Sequence, residues 1–98
     1  MLRHVVLFQW KPDTPTAAVA EIEAAFAALP EKIPEIAGFE FGTDVSVEGL
    51  ADGFSHCFLV SFATAADRDV YLPHPDHAAF GELIRPYLER VLVFDYEI

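Results

Sequence analysis

The segment YLPHPDHAAF, residues 71–80, contains the side chains with the clearest capacity for proton transfer, Tyr71 and His77. A neutral histidine side chain, with an ordinary pKa of about 6.5, can remove an acidic proton beside a carbonyl group. A tyrosine can donate a hydrogen bond to the resulting enolate or alkoxide oxygen without losing its own proton at neutral pH. The pair is therefore sufficient for acid–base chemistry on a carbonyl compound.

Two further histidines lie on predicted strands. His4 shares a strand face with Val6 and Phe8, which we expect to face the helices, so His4 could line the same cavity as His77. His56 takes the corresponding face of the third predicted strand. The alternative for His4 and His56 is a core position in which a neighbouring side chain satisfies the imidazole.

The histidines of residues 71–80 also have a purely structural interpretation. His74, before Pro75, could simply begin a helix, and His77 could hydrogen-bond a nearby carbonyl or the hydroxyl of Tyr71. A metal site would need His74 and His77 to combine with His4, and this spacing matches no strong zinc signature. The sequence therefore predicts neither a metal site nor a cofactor.

Hydrophobic periodicity and proline positions define the elements that must hold these side chains. The order is strand, helix, strand, strand, helix, strand, where a short helix precedes the second main one. This is the α+β, ferredoxin-like split βαβ arrangement (βαββαβ), a four-stranded antiparallel sheet with helices on one side, in a single domain of residues 1–98. The predicted strands are LRHVVLFQWK, FEFGTDVS, SHCFLVSF and VLVFDYEI, and the predicted helices end at Pro30, run from Thr64 to Pro73, and begin at Pro75.

The layer between sheet and helices is expected to contain a cavity for a small apolar or aromatic molecule. Besides His4, Tyr71 and His77, the predicted lining consists of Val6, Phe8, Ile22, Phe26, His56, Phe58, Val60, Phe80, Val91 and Val93. The alternative is that these side chains only fill the space between the two layers, as most core aromatic residues do.

The other face of the sheet would be apolar and uncovered. It would present Val5, Leu7, Cys57, Leu59, Leu92, Phe94 and Tyr96. Such a patch is too large to leave in water on a small monomer, and 53% of the 98 residues are hydrophobic. We therefore predict a homodimer in which two sheets pack face to face as a shared barrel.

Charge and composition exclude several classes of partner. The net charge of −10, from 16 acidic and 6 basic residues, would repel nucleic acid and anionic membrane surfaces. Cys57 is the single cysteine, so no intrachain disulfide can form. Neither a signal core nor an apolar segment of membrane-spanning length is present, which favours a cytoplasmic protein with no membrane partner.

Four blocks in this order, HVVLFQWK, EGLADGFSHCFLVSF, YLPHPDHAAF and VLVFDY, resemble the stress-responsive dimeric α/β-barrel family, Dabb, over nearly the full chain. The resemblance implies a dimeric ferredoxin-like barrel. The family includes polyketide cyclases that close a linear thioester by intramolecular aldol condensation without a cofactor. Their catalytic tyrosine and histidine match Tyr71 and His77, and a further pocket histidine matches His4.

Four functions remain open from the sequence. The first is a barrel of unassigned physiological role that binds a small apolar or aromatic molecule. The second is a cofactor-independent cyclase or lyase with His77 as general base, Tyr71 as donor and His4 assisting. The third is a cofactor-free monooxygenase, with which Trp10 and the histidines are compatible. The fourth is a structural stress protein without catalysis.

Overall fold

The computed structural model describes residues 1–98 and contains four strands and three helices. They are β1 (Leu2–Trp10), α1 (Thr16–Lys32), β2 (Ile36–Thr43), β3 (His56–Phe62), α2 (Ala65–Tyr71), α3 (Pro75–Ile84) and β4 (Leu88–Glu97). All strand pairs are antiparallel, and the strand order in the sheet is β2-β3-β1-β4. The predicted ferredoxin-like architecture is therefore confirmed.

The core lies between the helices and one face of the sheet. On β1, His4, Val6 and Phe8 alternate with half-buried residues and point toward the helices, as the period of two predicts. On α1, Ile22 and Phe26 are buried one turn apart. Helices therefore cover a single face of the sheet, and this layer contains the side chains that could do chemistry.

Pro30 does not end α1, contrary to the prediction. The helix continues to Lys32, and the backbone N–H of Ile33 still bonds to the carbonyl of Leu29 at 2.9 Å. Pro30 has no N–H to donate to the carbonyl of Phe26, so one helical hydrogen bond is lost, yet the helix continues for two more residues. The buried side chains of Leu29 and Ile33 hold this last turn against the core.

The edge strands begin earlier than predicted. β2 starts at Ile36, whose side chain is buried and whose backbone pairs with Phe62 across a β-bulge. It ends at Thr43, opposite the first residue of β3, His56, and one further backbone hydrogen bond follows, from Asp44 N–H to the carbonyl of Ser55 at 2.8 Å. β4 starts at Leu88, opposite Trp10 of β1, and not at the predicted Val91.

Side-chain caps define the starts of the two short helices. The hydroxyl of Thr64 accepts the backbone N–H of Asp67 at 3.2 Å, which confirms the predicted start of α2. At α3, His74 Nδ1 accepts the backbone N–H of Asp76 at 3.1 Å and Pro75 takes the first helical position. The cap fixes where the first turn of α3 lies.

The sheet face turned away from the helices has no covering element. We call it the uncovered face; it comprises Val5, Leu7, Cys57, Leu59, Leu92, Phe94 and Tyr96. The β4 members are the most accessible, and Phe94 is 61% exposed. A separate observation is that none of the three helices combines the length and apolarity needed to cross a membrane.

Candidate functional site

A cavity of about 310 Å³ lies between α3, β1 and β4. Its walls are mostly aliphatic and aromatic. Four polar side chains interrupt them: His4 from β1, Tyr71 from the end of α2, His77 from α3 and Asp95 from β4. Tyr71, His77 and His4, the three residues predicted to act together, therefore meet in one cavity.

The predicted lining divides into wall residues and core residues. Val6, Phe8, Phe26, Phe80, Val91 and Val93 line the cavity. Ile22, Phe58 and Val60 do not: they are completely buried in the core beside it, where Phe58 stacks on Phe26 with ring centroids 4.5 Å apart. A strand face or helix face predicts burial, but it does not distinguish side chains that border empty space from those in contact on all sides.

Four lining residues were missed from the sequence: Leu72, Gly81, Ile84 and Asp95. Helical spacing would have found two of them, since Gly81 and Ile84 follow His77 by one and two turns on the same face of α3. Asp95 follows Val93 on the same face of β4, so strand alternation would have found it too.

Asp95 fixes the state of His4. The two residues are paired across β1 and β4, and His4 Nδ1 lies 2.6 Å from Asp95 Oδ1. The second carboxylate oxygen accepts a hydrogen bond from Arg68 Nη1 at 3.1 Å, which favours the ionised carboxylate. An ionised carboxylate only accepts, so the proton of neutral His4 is on Nδ1 and the lone pair is on Nε2.

The backbone fixes His77 in the same state. His77 Nδ1 lies 2.9 Å from the carbonyl oxygen of Leu72. A carbonyl can only accept, so Nδ1 carries the proton and Nε2 carries the lone pair. The structural interpretation of His77, a hydrogen bond to a nearby carbonyl, is thus correct for Nδ1. Nε2 makes no such bond and is free for chemistry.

The Tyr71 ring is close to both histidines. Its ring centroid is 4.4 Å from that of His77 and 5.8 Å from that of His4. Burial raises the pKa of the Tyr71 phenol well above its ordinary value of 10.0, so the phenol stays protonated at neutral pH. In this state it is a hydrogen-bond donor and not a base.

The Tyr71 hydroxyl and the Nε2 atoms of His4 and His77 make no hydrogen bond within the protein. Every fully buried side-chain nitrogen or oxygen in the protein has a hydrogen-bond partner. These three atoms have none, so they must border accessible space. The cavity therefore offers one donor and two acceptors to a molecule that enters it, against otherwise apolar walls.

His56 is separate from this cavity. Its Nδ1 accepts from Trp10 Nε1 at 3.2 Å and from the hydroxyl of Ser55 at 3.0 Å, and its Nε2 contacts Glu23 Oε2 at 3.1 Å. Both ring nitrogens are engaged by the protein, as expected of a core histidine. His56 instead borders a second hollow of about 540 Å³ beside loop 44–55.

His74 is also outside the cavity, because its ring caps α3. The combination of His4, His74 and His77 considered as metal ligands does not form. No group of three or more histidine, cysteine, aspartate or glutamate side chains is arranged to hold a metal ion.

Two curated plant proteins are similar to the chain over nearly its full length. Stress-response A/B barrel domain-containing protein HS1 of Arabidopsis thaliana is 31% identical over 96 residues, covering 98% of this chain and 88% of the relative. Olivetolic acid cyclase of Cannabis sativa is 27% identical over 95 residues, covering 97% of this chain and 94% of the relative.

Solved structures share the fold. Hydroxynitrile lyase from Passiflora edulis superposes with a TM-score of 0.92 at 29% identity, covering 99% of this chain and 92% of that one. A ferredoxin-like protein from Thermobifida fusca, described as dimeric, superposes with a TM-score of 0.83 at 28% identity, covering 99% and 90%. The structural neighbours thus include dimers and an enzyme.

The resemblance seen in the sequence blocks is confirmed by a family match. The stress responsive A/B barrel domain, Dabb, matches residues 2–98, which leaves only Met1 outside. Fold, relatives and family match agree, and the chain belongs to the Dabb family.

Proposed function

We propose that the protein is a homodimeric barrel that binds a small, largely apolar or aromatic carbonyl compound and acts on it as a cofactor-independent lyase or cyclase. The observation that carries this proposal is the convergence of three free groups in one apolar cavity. They are the phenol of Tyr71 and the unprotonated Nε2 atoms of His4 and His77.

In this mechanism, His77 Nε2 is the general base. In a cyclase it takes a C–H proton beside a carbonyl, the resulting carbanion forms a C–C bond to a second carbonyl carbon, and the new alkoxide is protonated. In a lyase acting on a cyanohydrin it takes the hydroxyl proton, the C–C bond to the nitrile breaks, and cyanide leaves with the bonding electrons and is then protonated. Tyr71 donates a hydrogen bond to the substrate oxygen in both cases.

His4 is the second proton carrier of the site. Its Nδ1–H is held by Asp95, its Nε2 makes no hydrogen bond within the protein, and the residue lines the same cavity as Tyr71 and His77. It can therefore take up or return a proton during the reaction.

Two considerations favour a small neutral substrate over a thioester. The cavity volume of about 310 Å³ is at the lower end of the range for small-molecule sites. The net charge of −10 disfavours the approach of anionic coenzyme A esters. Among the relatives, the hydroxynitrile lyase therefore suggests a better first substrate class, aromatic cyanohydrins, than the cyclase does.

The other functions lack such support. In a purely structural role the protein itself would engage these polar groups, as it engages both ring nitrogens of His56, whereas the Tyr71 hydroxyl and His77 Nε2 make no hydrogen bond within the protein. The monooxygenase alternative invoked Trp10, and its indole packs against His56 and Phe8 outside the cavity. A cytoplasmic location stays a prediction from sequence.

The test is the cleavage of benzaldehyde cyanohydrin, followed by aldehyde release across acidic to alkaline pH, after subtraction of the spontaneous reaction. We expect His77→Ala and Tyr71→Phe each to lower kcat by about 10²-fold or more. The rate should not fall through Tyr71 ionisation at moderately alkaline pH, because burial raises the pKa of that phenol.

His74→Asn is the matched control, since it changes a neighbouring histidine outside the cavity and keeps a capping side chain. It should leave kcat unchanged. A wild-type protein that neither binds benzaldehyde nor cleaves its cyanohydrin, or a rate that His77→Ala leaves intact, would count against the proposal.

A further inference from the structure

Gly81 occupies an unusual position on the cavity wall. The face of α3 that lines the cavity consists of His77, Phe80, Gly81 and Ile84. Gly81 is one helical turn beyond His77, so their α-carbons lie one above the other on this face. At position 81, one turn beyond the proposed base, the wall therefore carries no side chain.

Neither backbone nor packing requires glycine at this position. The positive-φ glycines of the chain are Gly49 and Gly53, and Gly81 has ordinary helical geometry. A Cβ built at Gly81 would meet no atom within 4 Å, whereas one at Gly53 would lie 2.7 Å from Gln9 Nε2. Glycine in a helix interior is less stable than alanine, so the fold alone would favour a larger residue at position 81.

The cavity is also open across from α3. Val91 and Val93 of β4 line it, yet they are 49% and 53% exposed in the protomer. Leu72, on the helix side, is exposed as well. The cavity is therefore open to the outside beside Val91, Val93 and Leu72, and Gly81 lies on its α3 wall.

We propose that Gly81 is a specificity-determining residue. Because Gly81 has no side chain, a channel is left open from His77 toward solvent. The unreactive part of the substrate extends along this channel. The ligand class is a carbonyl compound with an apolar tail on its ring. The inference rests on the proposed function, because it assumes that the reacting group lies between Tyr71 and His77.

The experiment compares the binding of two probes, benzaldehyde and 4-butylbenzaldehyde, by NMR titration of the wild type, Gly81→Ala and Gly81→Leu. Ala79→Leu is the matched control, because it adds the same side chain to an exposed position of α3 that does not line the cavity. We expect Gly81→Leu to bind 4-butylbenzaldehyde about tenfold or more weakly while benzaldehyde affinity changes little. Gly81→Ala should give an intermediate loss, and Ala79→Leu none.

Thermal melts show whether the variants fold, and both Gly81 substitutions should melt at or above the wild-type temperature. If Gly81→Leu binds both aldehydes as the wild type does, or loses both equally, the role of Gly81 is wrong while the proposed function stands. A wild type that binds benzaldehyde alone also overturns it. A wild type that binds neither aldehyde overturns the proposed function and this inference with it.

Discussion

At the scale of single residues, the two cavity histidines are held in the same tautomer by different partners. A backbone carbonyl holds His77, and no side-chain substitution removes that acceptor. A carboxylate, Asp95, holds His4, and Arg68 in turn holds Asp95. His4 therefore depends on two side chains that can be changed without touching either the cavity base or the phenol.

Asp95→Asn should disturb the tautomer of His4. An amide can accept a proton from Nδ1 or, rotated, donate one to it, so the uniform preference for Nδ1–H is lost. We expect ¹⁵N NMR to show a mixture of His4 tautomers and kcat to fall by about tenfold or more, as for a misplaced acid–base group. The resonances of His77 should stay unchanged.

Asp69→Asn is the control for this substitution. Asp69 also forms an ion pair with Arg68, at 3.0 Å, but it is exposed and does not contact His4. It should leave both the tautomer and kcat as in the wild type. If Asp95→Asn retains Nδ1–H on His4 and full activity, Asp95 has no positioning role.

The residue types at the site were predictable, and their chemical states were not. Tyr71, His77 and His4 stand out by type and by their places on predicted elements. The acceptors that set the tautomers are the carbonyl of Leu72 and the carboxylate of Asp95, which lies 91 positions from His4 in the chain. Only the pairing of β1 with β4 brings His4 and Asp95 together.

At the scale of elements, α3 depends on a histidine cap. His74 Nδ1 accepts the N–H of Asp76, and Pro75 presets the first turn in which His77 lies. His74→Ala should lower the free energy of unfolding by about 1 kcal/mol, whereas His74→Asn should restore most of it. Urea denaturation measures both. Equal stability of the two variants would contradict a capping role.

The bounds of helices and strands could be predicted where a buried face or a capping residue sets them, and less well where strand pairing sets them. Alternation placed His4 and Phe8 toward the helices, and capping spacing placed the start of α2 at Thr64. The start of β2 at Ile36 depends on a bulge near its pairing with Phe62, and only the register between β2 and β3 reveals this bulge. Hydrophobic periodicity likewise predicts which side chains are buried but not where a cavity lies. The core residues Ile22, Phe58 and Val60 could therefore not be distinguished from residues of the cavity wall.

At the scale of the whole molecule, β4 serves both faces of the sheet. Val91, Val93 and Asp95 line the cavity, while the alternate residues Leu92, Phe94 and Tyr96 belong to the uncovered face. Much of the excess of apolar residues in the sequence is thus on a face that no element of the protomer covers, and a second subunit there, as in the proposed homodimer, would cover it. A partner packed on Phe94 would also steady the strand that carries Asp95.

Phe94→Asp should therefore dissociate the proposed dimer, because it places a charge on the apolar face that we expect the second subunit to cover. The side chain is 61% exposed in the protomer, so the protomer should still fold. Sedimentation of the variant should give a monomer, and ¹⁵N NMR should show a weaker His4 tautomer preference. Val70→Asp, a similar change at an exposed position of α2, should stay dimeric. If Phe94→Asp still forms a dimer of unchanged affinity, the interface lies elsewhere on the protein. If the variant is a monomer with an intact His4–Asp95 pair, each protomer organises its cavity alone.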